Sequence, residues 1–157
     1  MSHATMREQA VEQLRRRLDA DEYARIRQEW ITHSKAEDAR DLQGLLCTLT
    51  DDCVYKLVTT GEEWHGKPGA TRFYTELLSA FPDIHFDLQN IVIGPQGVFE
   101  EAHVTGTHKG QWLHTPPTGQ RLEWNVVIFF PWDAEMKKFK GERVYSDLDE
   151  QSMSHSQ

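Results

Sequence analysis

The 157-residue chain is poor in cysteine, with two, and has no apolar run of the roughly 18 residues needed to cross a bilayer. The first shortage excludes a disulfide-stapled scaffold: Cys47 and Cys53 are near neighbours, with no Cys or His pair at zinc-site spacing to join them. The second, together with an N-terminus lacking the apolar core of a secretory signal, gives the expectation of a soluble, cytoplasmic protein with both thiols reduced and Cys47 in the core. Positive charge is also short, 17 Lys and Arg against 25 Asp and Glu, for a net charge of -8. Such a surface repels phosphate backbones and anionic lipid, so neither nucleic acid nor a membrane is an expected partner. The one basic cluster, Arg15-Arg16-Arg17, is interleaved with Glu12, Asp19 and Asp21 and reads as a solvated helical face. Histidine is plentiful, with eight, but there is no HxxxH and no HExxH, and no metal site or organic cofactor is expected.

Aromatic residues are well represented, with five Trp, seven Phe and four Tyr, enough for one domain with a real core. Residues 1–20 read as a polar helical extension, 21–150 as the folded domain and 151–157 as a disordered tail. In the domain, Tyr23, Ile26, Trp30 and His33 recur at helical spacing, Asp38 to Leu49 reads as a further helix, and Cys53 to Val58 as a short strand. Gly61 to Gly69 reads as a loop, and Pro68 opens a helix carrying Phe73, Tyr74, Leu77 and Leu78 that Pro82 stops. From His85 onward the period changes to two, predicting strands at 85–93, 98–105, 121–131 and 139–148. Helices first and a meander afterwards give an α+β class: a curved antiparallel sheet wrapped around N-terminal helices.

Strand parity assigns the faces. Leu122, Trp124, Val126, Ile128 and Phe130 share the even side of one strand, Ala102 and Val104 that of another, and Val144 that of the last. A pocket between this face and the helices is expected to be lined by Val104, Trp124, Ile128 and Val144, with Trp30 and His33 from the helix side and Tyr55 from the short strand. It suits a small hydrophobic molecule and offers few acids or bases. The odd side, with Glu101, His103, Glu123, Asn125, Arg143 and Tyr145, is the candidate surface for a homodimer.

Four landmarks run in order through the strand region: Phe81-Pro82-Asp83-Ile84-His85, Gly106-Thr107-His108-Lys109-Gly110, Pro116-Pro117-Thr118-Gly119 and Arg143-Val144-Tyr145-Ser146-Asp147. This order resembles the SnoaL-like polyketide cyclases over roughly residues 23 to 148. The resemblance implies the cone-shaped α+β fold of the nuclear transport factor 2 superfamily, a deep apolar cavity, and association as dimers or larger oligomers. It also implies chemistry without metal or cofactor, in which a carboxylate removes a proton beside a carbonyl and a neighbouring donor stabilises the enolate. Ketosteroid isomerase, a related cone-fold enzyme, uses similar proton transfer.

Aligned on Pro116-Pro117-Thr118 and Asp147, the cyclases' acid/base aspartate falls on Val144 and their histidine on Ile128. The Asp-Arg-Asp positions of the related epoxide hydrolases fall on Ala102, Val104 and Val144. None of these side chains moves a proton. The expectation is therefore a cyclase- or isomerase-type enzyme with relocated groups, His33 or Asp147 as base and Tyr55 as donor. The alternative is a noncatalytic carrier of a small hydrophobic ligand. For His108 a loop-shaping hydrogen bond is expected, and for Asp147 a strand-end contact competes with catalysis.

Overall fold

The structure is a computed structural model that describes residues 3–154. Five helices and six strands follow one another as α1 (His3–Gln13), α2 (Ala20–Asp38), α3 (Leu42–Leu46), β1 (Leu49–Leu57), β2 (Glu63–His65), α4 (Gly66–Ala80), β3 (His85–Gly94), β4 (Gly97–Thr107), β5 (Arg121–Asp133), β6 (Lys138–Ser146) and α5 (Glu150–Ser154). All six strands form one sheet in the order β2-β1-β6-β5-β4-β3. The expected α+β class holds, with one refinement: β1 pairs with β6 in parallel, while every other pairing is antiparallel. Among the described residues no helix is long and apolar enough to cross a membrane.

Several local expectations are corrected. The helix expected from Asp38 to Leu49 is only α3, because Asp41 caps it by accepting from the Gly44 amide at 3.0 Å and the chain turns into β1 at Leu49. Cys47 caps the end of that helix and is exposed, whereas Cys53, on the inward parity of β1, is the buried thiol. The loop expected at 61–69 contains β2, which pairs Trp64 with Tyr55 on β1. The tail expected from residue 151 begins as part of α5, with Met153 buried, while residues 155–157 lie outside the described residues.

The inner face of the sheet carries the core. In β5 the even residues Trp124, Val126, Ile128, Phe130 and Trp132 are all buried, and β4 contributes Val98, Ala102 and Val104. Burying such side chains at about 25 cal/mol per Å² is what holds α2 and α4 against the sheet. In β6 the parity breaks: Phe139 and Glu142 are both buried. The β5–β6 register shifts between Phe129 and Trp132, and the β1–β6 register shifts between Leu49 and Val54. Gly141 lies in this irregular stretch with φ 112°, and a Cβ there would come within 2.0 Å of the Val54 carbonyl oxygen. Only glycine fits, and the irregularity turns Glu142 and Val144 inward together.

α1 is peripheral, its residues exposed from Thr5 to Gln13, with a hydrogen bond from Gln96 Nε2 to the Gln13 carbonyl at 3.3 Å. α2 is the helix that matters for the interior. Its Asp19 cap accepts from the Glu22 amide at 2.8 Å, and its buried residues Ile26, His33 and Ala36 fall at helical spacing.

A buried proton-sharing cluster at the closed end of an apolar cavity

Three elements deliver polar side chains to one spot, buried at His33, Tyr74 and Glu142 and with the Glu37 side chain 23% exposed. α2 brings His33 and, one turn later on the same face, Glu37; α4 brings Tyr74, between Phe73 and Leu77; the irregular stretch of β6 brings Glu142. Tyr55 from β1 stands behind Tyr74. His33 and Glu142 are 1% and 3% exposed. The imidazole is flanked edge-on by Phe130 and Phe139, with centroids at 5.4 and 6.2 Å, which keeps water away from it.

The hydrogen bonds fix the protons. Thr48 Oγ1 gives its only proton to the Leu45 carbonyl at 2.7 Å, so toward His33 Nδ1, also at 2.7 Å, it must accept. The Nδ1 position is therefore N–H, and Nε2 faces Glu142 Oε2 at 3.3 Å and Glu37 Oε2 at 3.9 Å. A lone pair there would repel both carboxylates, so the cluster requires a proton on Nε2 or on a carboxyl. The Tyr74 hydroxyl donates to Glu142 Oε2 at 2.5 Å, which leaves its oxygen to accept from the Tyr55 hydroxyl at 3.1 Å. The same hydroxyl lies 3.4 Å from Glu37 Oε2 and 3.4 Å from His33 Nε2.

Electrostatics follow from this geometry. Burial alone would push His33 down, but the hydrogen bond and charge of Glu142, with Glu37 and Glu29 adding, outweigh it and raise its pKa. Glu37 is pushed up to about 7, first by burial and then by the charge of Glu142, with His33 pulling the other way. Burial, and after it the Glu142 charge, holds the Tyr55 and Tyr74 hydroxyls protonated far above their ordinary range. On β4, Glu100 is pushed up to about 8 by burial and by the charges of Glu37 and Glu142. The result is a set of acids sharing too few positive charges, one of which titrates near neutrality.

The cluster ends a cavity of about 70 Å³, into which Glu37, Tyr74 and Glu142 project. Its walls are apolar, built from Phe73, Phe81, Trp112, Trp124, Ile128 and Val144, and Thr59, Thr60 and Ser146 also line it. An apolar compound can thus lie with one polar group against a carboxyl and a phenol. His33 Nε2 and the carboxylates of Glu37 and Glu142 also lie within 4.8 Å of one another, a set able to hold a metal ion. The Tyr74 hydroxyl stands among those atoms, however, so the space is filled by a proton-sharing network.

The expected site residues separate into two groups. Trp124, Ile128 and Val144 line the cavity; Trp30, Tyr55 and Val104 do not. Trp30 packs on the core from α2, Val104 is fully buried within it, and Tyr55 stands beside the cluster, bonded to Tyr74 and interacting with Glu142. His33 is in the cluster, held behind the two glutamates rather than against the cavity. Asp147 lies apart from the cavity lining: it is exposed on the outer face, where it accepts from the Asn125 amide at 2.6 Å and from Asn125 Nδ2 at 2.9 Å. Those bonds, the backbone one foremost, hold its carboxyl below the usual range. His108 shapes its loop, with Nδ1 accepting from the Thr118 amide at 3.3 Å and the ring stacked on Phe81.

Glu37, Tyr74 and Glu142 escaped the sequence reading, although each left a signal. Glu37 follows His33 by one helical turn, Tyr74 sits in an apolar stripe, and Glu142 shares the even parity of Val144.

Comparison with known proteins agrees with this architecture. No curated protein matches the sequence. Among solved structures, a candidate SnoaL-like polyketide cyclase from Jannaschia sp. CCS1 superposes with a TM-score of 0.73 at 18% identity, covering 84% of this chain and 92% of that one. AclR of Streptomyces galilaeus, described as a candidate hydroxylase, gives 0.66 at 21% identity over 84% of this chain and 81% of its own. IdmH of Streptomyces antibioticus, described as a candidate polyketide cyclase, gives 0.62 at 21% identity over 78% and 91%. At these identities the likeness establishes the fold. The family model for SnoaL-like polyketide cyclases matches residues 24–148, and the chain belongs to that family.

Proposed function

We propose that the protein is a cofactor-independent enzyme of cyclase or isomerase type, moving a proton on a small hydrophobic carbonyl compound bound in the cavity. Glu37 is the base, and the observation that carries this is its place in the wall of an apolar cavity with a pKa near 7. Tyr74 donates to the carbonyl oxygen as charge develops there, giving up its bond to Glu142. In that step the α C–H bond breaks, its electron pair forms the C=C of the enolate, and the proton goes to Glu37. His33 and Glu142 position the pair and hold the net charge of the cluster. The apolar walls equally suit a carrier that binds the same compound without turnover, and the test separates the two.

Deuterium exchange at the α-carbon of a panel of apolar ketones in D2O, followed by NMR, reads the proposed step directly. Exchange is expected with the wild type, reduced at least about 100-fold in Glu37→Gln and about tenfold in Tyr74→Phe. Asp147→Asn should leave it unchanged. Exchange that survives Glu37→Gln removes the proposed base, and binding without exchange leaves the carrier.

The outer face of the sheet is the proposed surface for pairing with a second copy. The two cysteines are unpaired, which fits a cytoplasmic location.

A further inference from the structure

Charge inside the cavity is one-sided. Among the described residues its lining includes Glu37, Glu142 and, from α5, Glu150, whose Oε1 accepts from the His114 amide, but no lysine, arginine or histidine. The His33 imidazole lies behind the carboxylates, its Nε2 3.3 Å from Glu142 Oε2. The rest of the wall includes six aromatic rings, those of Phe73, Tyr74, Phe81, Phe86, Trp112 and Trp124. They brace one another: Phe81 meets Trp112 and Trp124 at 6.0 and 5.1 Å, and Phe73 meets Trp112 at 6.4 Å. Aromatic faces attract cations and disfavour anions through the same quadrupole.

This arrangement bears on the reaction. Removing a proton beside a carbonyl places negative charge on its oxygen, and here, once Glu37 has taken the proton and become neutral, the Glu142 carboxylate still stands beside the Tyr74 donor that meets that oxygen. Like charges at close range repel in such a water-poor site, and a single neutral phenol donor offsets only part of that repulsion. Among the described residues the walls supply no cation to close that gap. We infer that the compound supplies it: the cavity takes an apolar carbonyl compound that carries a positive charge, such as a protonated amine. An ammonium group would sit against the aromatic rings and the carboxylates, and would offset the charge of the enolate. A carboxylate- or phosphate-bearing compound would be rejected.

The inference rests on the proton-transfer reading of the same cavity, and its test reads equilibrium binding, so either can fail alone. Three soluble probes of similar size differ mainly in charge: benzylamine, cationic at pH 7, benzyl alcohol, neutral, and benzoate, anionic. Titration calorimetry with the wild type is expected to show benzylamine about tenfold tighter than benzyl alcohol, with no measurable benzoate binding. In Glu37→Gln the benzylamine affinity should fall toward that of benzyl alcohol, whose own affinity stays unchanged. Should that variant fail to fold, Glu150→Gln serves as the second, with a smaller loss of the same sign. A preference under threefold in the wild type, tighter binding of benzoate, or no binding of any probe up to its solubility limit overturns the inference. So does a benzylamine preference that persists in both variants, since it would reflect only the acidic surface.

Discussion

At the scale of single residues, the interior chemistry comes from Glu37 and His33, and their protonation couples to folding. Glu37 has a folded pKa of about 7 against an ordinary 4.5, and His33 is raised above 6.5. The native state therefore binds more protons than the unfolded chain from about pH 4.5 upward, so stability falls as pH rises across that window. The contribution of His33 is fully present below about pH 6.5 and is lost as pH passes its folded value; that of Glu37 drains between 4.5 and about 7. Glu100, pushed up to about 8, acts in the same direction. At the acid end, Asp83, held down chiefly by the Thr107 hydroxyl, and Asp147, held down by the Asn125 amide, contribute stability that is lost as pH falls below about 4. Thermal melts should give the highest Tm near pH 5 and a decline toward pH 8, with Glu37 alone accounting for on the order of 3 kcal/mol. Glu37→Gln should flatten that decline. A Tm that rises between pH 6 and pH 8 would contradict the protonated cluster.

At the scale of elements, the decisive local feature is the irregular start of β6. Gly141 at φ 112° lets β6 lie against Val54 while turning Glu142 into the core, so the glycine and the site stand or fall together. Gly141→Ala would force a methyl group onto the Val54 carbonyl oxygen and adds the cost of a positive φ, together at least about 2 kcal/mol. The expected result is a Tm lower by several degrees and a flatter pH dependence, since Glu142 would no longer hold its place; an unchanged melt would refute this account of the irregularity. The same feature explains what could be read from the chain and what could not. Strands β3 to β6 and helices α2 and α4 follow from the change of period at His85 and from the apolar stripe of Tyr23, Ile26 and Trp30. Parity also placed Trp124, Ile128 and Val144 on the wall of the cavity. The parallel β1–β6 pairing and the three-residue β2 have no local signature, because both are set by which edges remain free after the sheet assembles. The site was obscured for a similar reason: His33, Glu37, Tyr74 and Glu142 lie on three elements, and no spacing rule within one element connects them. Aligning the chain with family positions drew attention to Ile128 and Val144, whereas the acid stands two residues before Val144.

At the scale of the whole molecule, the outer face of the sheet carries more apolar surface than its charged residues suggested. Val92 on β3, Phe99 on β4, Val127 on β5 and Tyr145 on β6 are all exposed. The register makes them contiguous: Val92 pairs with Phe99, Phe99 with Phe129, and Val127 with Tyr145, and the Phe99 and Phe129 rings stack at 4.4 Å. Between these rows stand charges of both signs, Glu101 and Glu123 with Arg143 and Lys140. A face that is partly apolar and carries charges of both signs can match a second copy of itself about a two-fold axis, which supports the proposed pairing. Pairing there would use the face of the sheet opposite the buried residues of β4 and β5. Sedimentation velocity is expected to show a dimer at micromolar concentration. Replacing both Phe99 and Val127 with Glu should yield monomers that retain the wild-type pH dependence of Tm, because the buried cluster lies on the other face. A wild-type monomer, or a doubly substituted protein that remains dimeric, would rule out this face as the site of association.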